Sequence, residues 1–73
     1  MSRLPVISGK DCIKALERLG FIIKRQEGSH IVMRKDNPFC QLVVPNHKTL
    51  DRGTLRAIIR QADLSIDEFI KAL

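Results

Sequence analysis

Between Gly9 and Leu19, apolar residues recur at Cys12, Ala15, Leu16 and Leu19, with Ile13 at the margin. Steps of three and four put them on one face of an α-helix, and Lys10, Lys14 and Arg18 follow every four residues on the other. Ser8 suits the N-cap and Asp11 the positive end of the helix dipole, while Gly20 supplies a left-handed residue that stops the helix. From Phe21 the period changes to two. Phe21 and Ile23 alternate with Lys24 and Gln26, and Glu27-Gly28 is turn chemistry. Ser29 to Lys35 alternates again, with Ile31 and Met33 facing one side and His30, Val32 and Arg34 the other. Asp36-Asn37-Pro38 marks a second turn. Phe39 to Val44 then forms a third strand with Leu42 and Val44 inward and Gln41 opposite, and Pro45 ends it because proline cannot donate to a sheet ladder.

The helical period returns after a loop from Asn46 to Leu50. Asp51 is an N-cap that Leu50 and Leu55 can staple, and Leu55, Ile58, Ile59 and Ala62 form the buried stripe beside a basic flank of Arg52, Arg56 and Arg60. Asp63 closes this helix where glycine would be easier. Ser65 with Glu68 makes a capping box, and Leu64 with Phe69 its staple, for a short last helix to about Ala72. Met1 to Ile7 reads as an extended arm laid against the sheet. The predicted order is α-β-β-β-α plus a short C-terminal helix. Only one face of the three-stranded antiparallel meander is apolar, so both long helices pack on it and leave the other face open. The fold class is α+β, as one domain over residues 1–73, with His30, Arg34 and Lys24 on the open face.

A chain this short buries a modest core, giving a stability of only about a few kcal/mol. Thirteen Lys and Arg against eight Asp and Glu leave a net charge of +5. That excess suits a polyanionic partner such as nucleic acid, or else simply a soluble basic surface. No apolar run is long enough for a membrane span or a signal-peptide core, so a cytoplasmic protein with no membrane partner is expected. Cys12 and Cys40 are then free thiols, since two lone cysteines make neither a zinc site nor, in a reducing compartment, a disulfide.

No metal or nucleotide motif is present, and no cofactor is expected. One chemistry needs little equipment. RNA carries its own nucleophile, the 2′-hydroxyl beside the scissile phosphate. An enzyme has to take that proton, return one to the leaving 5′-oxygen and steady charge on phosphorus. An imidazole with pKa near ~6.5 serves either transfer, and Arg or Lys the third need. His30 heads the candidates, the alternative being a solvated strand histidine without a role. Arg34 lies on the same face roughly 13 Å along the strand at ~3.3 Å per residue, a phosphate grip rather than a partner at the cut. Lys24 is nearer. The antiparallel third strand brings His47 back toward His30, either as an acid–base partner or as a phosphate contact or bystander, with Lys48 beside it. Lys10, Lys14, Arg56 and Arg60 read either as solvated helix flanks or as a phosphate-tracking surface.

Three ordered stretches resemble the HicA family of small toxins. They are Leu16-Glu17-Arg18-Leu19-Gly20-Phe21, then Arg25-Gln26-Glu27-Gly28-Ser29-His30, then Val44-Pro45-Asn46-His47 followed by Gly53-Thr54-Leu55-Arg56. The resemblance runs from about Lys10 to Phe69. It implies a fold like the double-stranded-RNA-binding domain and metal-independent cleavage of messenger or other single-stranded RNA. It also implies that the histidine of Gly-Ser-His, here His30 beside Ser29, is catalytic. A HicB-type antitoxin covering the active face is the implied partner, and the free toxin is expected as a monomer. Some members carry a second histidine directly after the first, where Ile31 stands here. The second proton transfer then falls to His47, a lysine or water. The rival expectation is a non-catalytic RNA-binding or regulatory module on the same fold.

Overall fold

The computed structural model describes residues 3–73, so only Met1 and Ser2 of the N-terminal arm lie outside it. Its elements run α1 (Gly9–Arg18), β1 (Ile22–Glu27), β2 (His30–Lys35), β3 (Cys40–Pro45), α2 (Arg52–Gln61) and α3 (Ile66–Lys71). The strands form an antiparallel sheet in the order β1-β2-β3. This is the α+β order predicted from the periodicity, and it agrees with the double-stranded-RNA-binding-domain-like fold that the resemblance implies. Cys12, Ala15 and Leu16 of α1 and Leu55, Ile58 and Ile59 of α2 share one core with Ile31, Met33, Leu42 and Val44. Both long helices therefore cover one sheet face and leave the other uncovered.

The helix ends follow local chemistry closely. The Ser8 hydroxyl accepts the Asp11 N–H at 3.0 Å, and the Asp51 carboxylate accepts the Thr54 N–H at 3.3 Å. At the end of α1 the Phe21 N–H reaches the Leu16 carbonyl and the Gly20 N–H reaches that of Glu17, with Gly20 at φ 102°. At the end of α2 the Leu64 N–H reaches the Ile59 carbonyl and the Asp63 N–H that of Arg60. Both are Schellman closures, but the left-handed position of the second (φ 59°) is held by Asp63, which carries a Cβ. Asp63→Gly is expected to raise stability by about 0.5–1 kcal/mol, read as a higher denaturant midpoint at unchanged slope.

Both halves of the α3 capping box are formed, Ser65 Oγ accepting from the Glu68 N–H and Glu68 Oε1 from the Ser65 N–H. The Ser65 backbone N–H, then its hydroxyl, hold the Glu68 carboxyl below its ordinary value of 4.5, with Lys35 adding to the same direction. A lowered folded value stabilises the protein above that ordinary value and is lost as pH falls through the folded one. Glu68→Gln, which keeps the cap but does not titrate, should flatten that part of the acid limb of a stability–pH curve.

The N-terminal arm joins the core that the sheet lines and is also tied to a loop. Leu4 is buried in the core, and the Ile7 carbonyl accepts the Leu50 N–H at 2.8 Å. Cys12 is wholly buried, which pushes its thiol up to about 12 and removes it from thiolate chemistry. Cys40 is also a free thiol, and its Sγ donates to the Gln61 carbonyl at 3.0 Å, tying β3 to the end of α2.

Candidate active site on the open sheet face

Gly28 and Ser29 form a two-residue hairpin loop between the paired residues Glu27 and His30. Gly28 has φ 61° at the first loop position, the geometry of a II′ turn. A Cβ on Gly28 would meet nothing within 4 Å, so backbone conformation rather than space calls for glycine. The turn makes His30 the first residue of the central strand and fixes which face it takes.

Cross-strand pairing arranges the open face as a small grid. The first row is Glu27–His30–Pro45, the second Arg25–Val32–Val43 and the third Ile22–Arg34–Gln41. Rows lie roughly 6.6 Å apart, two residues along a strand. His30 is exposed, as alternation predicted. Its neighbour Glu27 is held in an ion pair by Arg25, and the Gln26 amide closes the turn on the Gly28 carbonyl at 3.0 Å. Val32 is only 5% exposed although no helix covers it, so the middle of this face is drier than its edges.

The alternation expected in β1 fails at Lys24. The register slips between Ile23 and Arg25, leaving Lys24 as the extra residue of a β-bulge with no partner on β2. Downstream of the bulge the faces exchange, so Arg25 and Glu27 flank His30 and Gln26 stands opposite Ile31 on the helix side. Arg25 and Glu27 were therefore missed as site residues. The signal was available in the two-residue loop, because Gly28-Ser29 forces Glu27 opposite His30, and counting back from that pair reaches Arg25.

Arg34 is half-buried in the third row. Its Nε has no hydrogen-bond partner, and the nearest carboxylate oxygen is Asp36 Oδ1 at 3.6 Å. Arg34 is thus ion-paired with Asp36, and its unbonded Nε is enclosed. His47 does return to the His30 end of the sheet. Pro45 pairs with His30, the Asn46 N–H donates to the Ser29 carbonyl at 2.6 Å, and the His47 carbonyl accepts the Gly9 N–H at 2.8 Å. His47 and Lys48 are both exposed on this tethered loop. Lys10 follows Gly9 at the end of α1 that touches the loop. Lys14, Arg56 and Arg60 are exposed, but on helices that pack against the opposite sheet face, so they stand apart from the grid. Arg18 is engaged elsewhere, donating from Nη1 to the Ala72 carbonyl at 2.7 Å.

Among the described residues no three His, Cys, Asp or Glu side chains gather as metal ligands, and no helix is long and apolar enough to cross a membrane.

The model of one family, the HicA toxin of bacterial toxin–antitoxin systems, matches residues 9–64, well over half of the chain. The chain belongs to the HicA toxin family. It is thus the toxin component of a toxin–antitoxin pair, a role that implies a cognate antitoxin. A comparison with curated proteins returned no match. The HicA match begins at the first residue of α1, passes through Gly28-Ser29-His30 and the His47 loop, and ends just past the Schellman closure of α2.

Proposed function

We propose that this HicA-family toxin is a metal-independent endoribonuclease, a single domain of 73 residues acting on messenger or other single-stranded RNA. The observation that carries this reading is the exposed His30 at the head of the central strand. It has Arg25 in the next row, Arg34 in the third, and a second histidine on a loop hydrogen-bonded beside it. His30 acts as general acid or base on the 2′-hydroxyl or the leaving 5′-oxygen. The 2′-oxygen bonds to phosphorus, the bond to the 5′-oxygen breaks, and the products are a 2′,3′-cyclic phosphate and a 5′-hydroxyl. His47 or water carries the complementary proton. Arg25, Lys24 and Arg34 hold phosphates. A HicB-type antitoxin neutralises the toxin by covering this face.

Incubating the protein with single-stranded RNA in excess EDTA tests the reading. Fragments with 5′-hydroxyl ends are expected, and a substrate with one 2′-deoxy nucleotide should survive at that linkage. Cleavage that requires a divalent ion, or that proceeds at the deoxy linkage, would overturn the mechanism. Binding without any product would leave a non-catalytic RNA-binding module.

A further inference from the structure

Two of the three phenylalanines, Phe21 and Phe69, are buried at 2% and 0% exposure, whereas Phe39 is 66% exposed. Burial of apolar surface is the ordinary use of this side chain, and Phe39 gains little of it. Its position is specific. It is the last residue of the β2–β3 turn, directly before Cys40 opens β3 opposite Lys35, at the end of the sheet where Arg34 pairs with Gln41. It stands next to the row of Arg34 and Gln41, six residues or roughly 20 Å from the His30 end. Val43, 44% exposed, continues the apolar surface between the two.

We infer that Phe39 is a base-stacking subsite for single-stranded RNA, holding one base several nucleotides away from the cut. This rests on the ribonuclease reading of the same face and adds to it where the bases go. An unpaired base offers a flat apolar surface that an exposed aromatic ring can cover, while its phosphate stays within reach of a cation. The third row supplies that cation in Arg34, whose half-buried side chain is paired with Asp36 at 3.6 Å. Gln41 beside it can both donate to and accept from a base edge. The net charge of +5 favours a polyanion as the occupant over a neutral or basic protein surface. Duplex RNA is excluded as the preferred ligand, because its bases are already stacked and present no free face.

The chain contains no tryptophan, so Phe39→Trp introduces a single fluorophore at the proposed contact. In a His30→Ala background, which prevents cutting, a labelled single-stranded RNA oligonucleotide should quench that tryptophan with the same midpoint as its anisotropy change. Phe39→Ala should weaken binding on the order of tenfold, and Phe39→Trp should retain it. Replacing the bases of the oligonucleotide with abasic linkers should abolish the difference in affinity between the protein that keeps Phe39 and the Phe39→Ala variant. RNA binding of equal strength in Phe39→Ala, with an unresponsive tryptophan, would overturn this inference and leave the His30 reading standing. Absence of RNA binding by every form would remove both. Tryptophan emission that responds to the cognate antitoxin and never to RNA would make the ring a protein contact and reject the subsite.

Discussion

His30→Ala should reduce RNA cleavage by at least about 100-fold, the lower end of what a positioned acid or base contributes. Circular dichroism and melting should stay unchanged, because the ring is exposed on the sheet face away from the core and exposed substitutions usually move stability by less than about 0.5 kcal/mol. RNA affinity measured at zero turnover should be nearly unaltered if, as proposed, Arg25 in the next row and Arg34 in the third carry the phosphate contacts. The separation of turnover from binding is what identifies chemistry. Undiminished cleavage by His30→Ala would reject the assignment, whereas a large loss of binding would make His30 a phosphate contact. His47→Ala in parallel distinguishes an acid–base pair from a bystander, the pair predicting loss of one limb of the pH–rate profile.

Gly9→Ala should destabilise the fold by about 2–4 kcal/mol, a large share of the stability of a domain this small. Gly9 begins α1 where the helix meets the backbone after β3. A Cβ there would lie 2.9 Å from Asn46 Cα and 3.1 Å from His47 N, and closer still to the Pro45 carbonyl oxygen. Those neighbours are main chain and cannot rotate aside, so the helix end and the loop must separate. The separation also strains the Gly9 N–H bond to the His47 carbonyl. For a domain of this length the melting temperature should fall by roughly 10–25 °C. The same displacement moves His47 relative to His30, so activity measured well below the melting point should drop further than the folded fraction does. An unchanged melting temperature would mean that the contact is not made in solution.

Most of the fold was legible because its signals are local. Ser8, Asp51 and Ser65 announce the helix starts through their own hydrogen bonds, and Gly20 announces an end through a backbone angle that few other residues accept. His30 was legible for the same reason, since a two-residue turn fixes its face from four residues of sequence. The composition of the site around it was less so. Alternation counted forward from Phe21 assumes an unbroken ladder, and the bulge at Lys24 breaks it without any glycine or proline to mark the place. Tertiary pairing with β2 decides that feature. The docking of the arm on Leu50 was hidden too, because one backbone hydrogen bond between segments far apart in the chain has no periodicity to betray it.

The slipped register has an evolutionary reading. Because the Gly28-Ser29 turn holds Glu27 opposite His30, losing the extra residue at Lys24 would only restore an unbroken ladder, with Ile23 still opposite Met33 and Arg25 still opposite Val32. A toxin lineage can thus lengthen or shorten this outer strand at the bulge while the charged pair beside the imidazole keeps its place.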